Sequence, residues 1–229
     1  MKYLSWNEVK ITDFSDEYVR EMYEKGYVFT RLGRGIMQQT RSVRIDLNTF
    51  EPSSENRRIL KRTDQISLKG YELPFKDYDF RVGKLAKDFY DSRFGAGIMS
   101  VQKIKEMMTD ATRSNFNSLL AYVKDDRSSP LGYAICYTNK LIRHYSYPFY
   151  DATAAPKDMG LGMMIRAISV SKELGHRYFY IGSLQRPADT YKLQFSGLEW
   201  FDGGPAGTGG WRQDLDAVKK ILASAKMTE

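Results

Sequence analysis

Between residues 119 and 182 the hydrophobic period changes twice, and that change restricts the folds open to the chain. "LLAYV", "LGYAICYT" and "LIRHYSYPFY" are short aromatic and β-branched runs separated by "KDDRSSP" and "TNK". Such a pattern predicts three strands in an antiparallel meander. A glycine-containing turn, "KDMGLG", then leads into a helical run over 163–174, and "RYFYIG" returns to strand character over 178–182. A meander followed by a helix and a further strand requires a mixed sheet with flanking helices, the α/β (α+β) class.

Upstream, Tyr18, Val19, Met22 and Tyr23 recur at helical spacing before Gly26, which predicts a short helix. "YVFTRLGRGIMQQTRSVRIDL" alternates around "GRG" and reads as antiparallel strands, with Val43, Ile45 and Leu47 on one face and Arg44 and Asp46 on the other. Pro52 stops the ladder, Ser53 or Ser54 caps a new helix, and Glu55 suits its positive end. On that helix Arg57 with Lys61, and Arg58 with Arg62, are four residues apart, so the cations form two neighbouring rows. Like charges so stacked cost stability in isolation and point to an anionic partner, while Ile59 and Leu60 face the body. Segments 78–94 and 101–121 read as helices joined by "GAGIMS". The expected organisation is an N-terminal basic lobe, 1–75, and a core, 76–229.

The chain has 229 residues, 42% of them hydrophobic, enough to bury a substantial core. Its formal charge of +7 concentrates polyanions at the surface. No apolar run approaches the roughly 18 to 20 residues that cross a bilayer, and "MKYLSWNEVKITDF" lacks the apolar centre of a secretory signal. A cytoplasmic protein without a membrane partner is expected. One cysteine, Cys136, excludes an intrachain disulfide and a thiolate cluster, and only His144 and His176 are available as imidazoles, so no metal site is expected. Cys136, inside "LGYAICYT", reads as a buried thiol, His144 as structural and His176 as exposed.

The order meander, glycine turn, helix, strand resembles the core of GNAT-type acyltransferases. "KDMGLG" is similar to their pyrophosphate loop, with Lys157 in the first place and Gly160 and Gly162 in the glycine places. Three longer segments sharpen the resemblance: "TRSVRIDLNTFEPSSENRRILKRTD", "DFYDSRFGAGIMS" and "YSYPFYDATAAPKDMGLGMMIRAISVSKELGHRYFYIGSLQRPADTYKLQFSGLEWFDG". Together, over residues 18–205, they resemble the arginyl-tRNA–protein transferases and their bacterial leucyl-transferring relatives. Members of that family place a cysteine cluster just before the basic segment; "RLGRGIMQQTRS" has none.

The resemblance implies aminoacyl transfer from aminoacyl-tRNA, a co-substrate that needs no further cofactor, to an amine on a protein N-terminus, a peptide or a small molecule. It assigns Arg41, Arg44, Arg57, Arg58, Lys61 and Arg62 to tRNA phosphates. Tyr147, Lys157, Gly160, Gly162 and Tyr191 would hold the donor's terminal adenosine and phosphate. Asp151, Tyr180 and Lys192 would serve the reaction, with no metal. Two other readings use the same fold: a CoA-dependent N-acyltransferase, against which the long basic segment argues, and an RNA-binding module without turnover.

Overall fold

The computed structural model describes residues 4–124, 129–203 and 209–224. Its first part runs β1 (Asn7–Lys10), α1 (Asp16–Glu24), β2 (Tyr27–Phe29), β3 (Ile36–Gln39), β4 (Ser42–Asp46), α2 (Ser54–Arg62) and β5 (Ile66–Glu72). Then follow α3 (Phe80–Phe94), α4 (Val101–Thr109), β6 (Ser118–Lys124), β7 (Gly132–Thr138) and β8 (Ile142–Tyr150). The chain continues through α5 (Met159–Glu173), β9 (Tyr178–Ser183), a 3-10 stretch (Pro187–Gln194), β10 (Leu198–Asp202), β11 (Gly210–Arg212) and α6 (Leu215–Ser224).

One eight-stranded sheet has the order β11-β10-β4-β9-β8-β7-β6-β5, and a small sheet has the order β1-β3-β2. The strict alternation of the meander sorts its side chains between two cores. Leu120, Tyr122, Ala134 and Cys136 join α2, α5 and α6 on one face, while Leu119, Ala121, Tyr133 and Ile135 join α1, α3, α4 and the small sheet on the other. The result is a three-layer mixed α/β fold.

Two expectations change. Residues 1–75 do not form a separate lobe: β4 lies inside the large sheet between β10 and β9, and β5 pairs with β6. The helix expected over 101–121 stops at Thr109, capped by Asp110, and by Ser118 the chain is already in β6. Elsewhere the start of α2 falls at the serines. Ser53 Oγ accepts from Asn56 N (3.1 Å), and Asn56 Oδ1 accepts from Ser53 N (3.2 Å), a reciprocal cap.

The feature that positions a site is the only parallel pairing of the large sheet's described strands, β8 with β9. It holds for three pairs, Ile142↔Tyr178, Arg143↔Phe179 and His144↔Tyr180, after which the strands part. β8 continues to Tyr150 on β7 alone, and a register shift there leaves Ser146 as an extra residue, because Cys136 faces Tyr145 while Ile135 faces Tyr147. Asp151 N–H donates to Leu131 O on the β7 side, so alternation turns the backbone of Pro148 toward the opening. A proline fits there because no ladder needs its missing N–H. Its carbonyl accepts from Tyr90 Oη of α3 (3.2 Å).

Candidate active site

The opening between β8 and β9 is lined by elements from both ends of the chain. Its floor is Gly182, with φ +80; a Cβ there would meet nothing within 4 Å except Lys192 Nζ at 3.9 Å, so space stands above the strand. Lys192, from the 3-10 stretch, is 8% exposed and points its ammonium into that space. It donates to Ser183 O (2.6 Å) and lies 3.6 Å from Asp189 Oδ1. Burial pulls its pKa below the usual lysine range, partly opposed by the Asp189 carboxylate. A desolvated amine so placed can pass a proton at lower cost than a surface lysine.

Beside the opening, a cleft of about 460 Å³ is bounded by Arg93 at the end of α3, Tyr150 at the end of β8, and the turn 155–161 that begins α5. Lys157 is exposed at its edge. Gly160 packs against the Tyr150 ring, whose Cε1 would lie 3.4 Å from an added Cβ. Gly162 serves packing instead, because an added Cβ would lie 2.7 Å from Thr63 Oγ1; this glycine lets α5 meet the end of α2. Asp158 begins α5 in the left-handed region, φ 66, and its carboxylate pairs with Arg62 of α2 at 2.6 Å. Arg166 of α5 donates to the carbonyls of Leu60 (3.3 Å) and Thr63, closing the C-terminal end of α2. The basic helix is thus bolted to the first turns of α5, next to the cleft.

Of the two cationic rows on α2, one is largely neutralised. Arg58 pairs with Glu55 at 2.5 Å and Arg62 with Asp158. Arg57 donates to Pro52 O (2.5 Å), and Lys61 projects into solvent, so the Arg57–Lys61 row keeps its charge. Arg41 is half-buried and donates to Leu184 O (3.3 Å), just beyond β9 and near the opening.

Arg44 is a correction. It is 5% exposed, held by Glu24 at 2.8 Å and Glu199 at 2.7 Å, with its guanidinium 3.8 Å from the Tyr178 ring centroid and 4.0 Å from that of Trp211. No phosphate reaches it. Alternation assigned it to an outer face, but an interior strand has both faces covered.

The remaining residues divide by burial. Tyr180 is fully buried, accepting from Arg44 Nη1 (3.4 Å), with its ring edge-on to Tyr23 at 4.8 Å; burial pushes its phenol far up. It lies beneath the opening and touches no open space. Asp151 Oδ1 accepts from Thr153 N (3.0 Å), Thr153 Oγ1 (2.6 Å) and Ala154 N (3.1 Å), which builds the turn after β8. Tyr147 packs edge-on to Phe116 at 5.3 Å. Tyr191 is 43% exposed at the rim, and burial of its phenol pushes that group up to about 12.

Sequence reasoning missed several participants. Tyr90, Arg93, Asp158 and Tyr23 belong to the opening only through tertiary packing, and the His144–Tyr23 hydrogen bond spans 121 positions of chain. His176 is not exposed: its Nδ1 lies 3.1 Å from Ser171 O and its Nε2 3.0 Å from Thr138 Oγ1. Cys136 is fully buried, its thiol pushed up to about 12 by burial, and so is no nucleophile. Among the described residues no cluster of His, Cys, Asp and Glu could hold a metal ion, and no helix is long and apolar enough to cross a membrane.

A mixed sheet whose adjacent parallel strands open over a helix-turn cleft is a GNAT-like fold. The solved structure of L-PGS from Bacillus licheniformis shares it, with a TM-score of 0.50 at 15% identity over 93% of this chain and 71% of that one. No family model matches the sequence. The chain is 27% identical over 168 residues to the aspartate/glutamate leucyltransferase of Ruegeria pomeroyi, covering 71% of this chain and 60% of that protein. It is 27% identical over 175 residues to the enzyme of the same name from Dinoroseobacter shibae, again 71% and 60%, and 28% identical over 151 residues to that of a Methylobacterium species, 62% and 60%. The chain spans about 60% of the length of these curated relatives.

Proposed function

We propose that the protein transfers an amino acid from aminoacyl-tRNA to an amine. The observation that carries this reading is the continuity between a charged helix and an acyl-transfer opening: the uncompensated Arg57–Lys61 row lies on α2, which docks through Thr63 and Arg62 onto the first turns of α5. A tRNA acceptor arm lying on α2 would deliver its 3′ end to the cleft beside Tyr150. The leucyltransferase relatives support the same chemistry. Against CoA stands Asp158, whose carboxylate occupies the start of α5 where a pyrophosphate would need positive potential.

In this scheme the ester of aminoacyl-tRNA is already activated, so the enzyme aligns the amine and steadies the charge that develops. The amine lone pair forms the C–N bond while the carbonyl electrons move onto oxygen; collapse then breaks the C–O bond to the ribose. Lys192 gives its proton to the departing ribose oxygen and regains one from the new ammonium. Tyr191 stands at the rim beside it, and Asp151 shapes the turn rather than taking the proton. The relatives' name specifies aspartate and glutamate. An acidic acceptor would suit the cations Arg31, Arg93 and Arg186, which come from three separate segments, with Arg186 also holding Asp189 through its backbone N–H (2.9 Å).

The test is a single-turnover assay with a pool of charged tRNAs and a panel of amines, including peptides beginning with aspartate or glutamate. Transfer by the wild type, lost in Lys192→Ala with tRNA binding retained, is the expected result. Absence of transfer from every charged tRNA, with acetyl transfer from acetyl-CoA instead, would replace the reading by the CoA-dependent one.

A further inference from the structure

His144 is the last residue of β8 to pair with β9, so its ring lies at the apex of the opening. It is 3% exposed. Three groups stand in series at its Nδ1 side. Phe29 N–H can only donate, and it donates to Tyr23 Oη (3.4 Å). The Tyr23 hydroxyl keeps its own hydrogen for a second partner, and His144 Nδ1 lies 2.9 Å away. When that hydrogen goes to Nδ1 the ring's proton stands on Nε2, and among the described residues His144 makes its side-chain hydrogen bond through Nδ1.

The surroundings keep the ring neutral. Tyr23 from α1 and Tyr180 from β9 present ring edges at 5.7 and 6.5 Å, Tyr137 on β7 is paired across the strand, and the Lys192 ammonium is the charge felt from the 3-10 stretch. Among the described residues no carboxylate faces the imidazole. Burial, assisted by Lys192, lowers its pKa to about 3. Lys192 also borders the open space over Gly182, two residues beyond the Tyr180 that pairs with His144, so the imidazole and the ammonium flank one volume.

We propose that Tyr23 donates to His144 Nδ1 and that His144 Nε2–H is a hydrogen-bond donor to the oxyanion of the tetrahedral intermediate. The inference rests on the acyl-transfer reading above and adds a catalytic residue to it. A neutral donor suits this place: it stabilises charge that appears in the transition state and repels neither the nearby ammonium nor an incoming protonated amine. Lys192 is then left for the departing ribose oxygen.

Two measurements test it. In protein labelled with nitrogen-15 in its histidines, His144 should show an unprotonated Nδ1 and a protonated Nε2 throughout pH 8 to 5, and Tyr23→Phe should blur that distinction. In single-turnover transfer from charged tRNA, His144→Phe should slow the rate by about 10²–10³, as loss of one oxyanion donor does, with tRNA binding unchanged. His144→Gln, which carries an N–H near the Nε2 position, should recover at least about tenfold of that loss. A proton on Nδ1, an unchanged rate in His144→Phe, or equal losses in folded Phe and Gln variants would overturn the proposal. Should the Phe variant fail to fold, the Gln variant compared with Tyr23→Phe decides: loss in neither overturns it. A wild type that transfers from no charged tRNA overturns the wider reading and this one with it, whereas transfer by the wild type with insensitive His144 variants removes only this one.

Discussion

Acid should destabilise the protein through His144 by a predictable amount. In the unfolded chain the imidazole titrates at 6.5; in the fold, burial lowers it to about 3. Between those values the unfolded chain binds a proton that the folded one does not, so stability falls as pH drops below 6.5 and is fully present above it. At pH 5 the unfolded imidazole is about 97% protonated and the folded one about 1%, which amounts to roughly 2 kcal/mol lost relative to pH 7. The result holds for any folded value below about 4. For a chain of this length it corresponds to about 4–8 °C in Tm. The assay is denaturant unfolding at pH 7 and pH 5 for the wild type and His144→Gln. Carboxylates and His176 are common to both, so the difference between the two pH dependences isolates His144. Identical pH dependences would refute the buried, neutral imidazole.

Three further outcomes follow from the packing. Gly162→Ala places a methyl 2.7 Å from Thr63 Oγ1 and should cost about 1–3 kcal/mol of stability by overpacking, partly recovered in Gly162→Ala/Thr63→Ala; additive melts would show that the two helices do not touch there. Arg44→Ala leaves the half-buried Glu199 without its arginine and should lower stability by about 1–3 kcal/mol while leaving the salt dependence of tRNA binding unchanged; a flattened slope with wild-type stability would return Arg44 to the phosphates. Arg57→Ala/Lys61→Ala should reduce the magnitude of that slope by about 0.9 for each phosphate no longer neutralised, and by more than Arg58→Ala does. An equal effect from Arg58→Ala would mean that the Glu55 pair does not persist in solution.

The meander, the helix after the glycine turn and the capped basic helix were legible because each carries its signal locally, in period-two alternation, 3.6-residue spacing or the Ser53 cap. What could not be read depends on partners distant in sequence. β4 looks like a strand in "RSVRIDL", yet nothing in that segment states that it enters between β9 and β10; hence Arg44 reads as exposed and residues 1–75 as a lobe. The helix expected over 101–121 overruns because Phe116, Leu119 and Leu120 keep the composition apolar enough, while Asp110 turns the chain. Gly162 reads as a phosphate binder because its motif is defined by neighbours in sequence, whereas its actual neighbour is Thr63. His144 reads as structural for a sound reason, since a lone histidine in an apolar strand usually is; only the opening beside it gives its second nitrogen something to do.

Pro148 has a kinetic consequence. Where β8 leaves β9 it removes one of the donors that zipping the two strands shut would require, and Tyr90 already engages its carbonyl. The receptive form of the cleft is then the resident form rather than a rare excursion, so no fraction of binding strength is forfeited to prying the strands apart. Capture of a large polyanion would be paced by encounter and by ionic strength, not by a slow rearrangement of the sheet. Rapid-mixing traces should accordingly rise in one phase whose rate climbs linearly with ligand concentration, and a plateau in that rate would reveal a closed form that the fold gives no reason to expect.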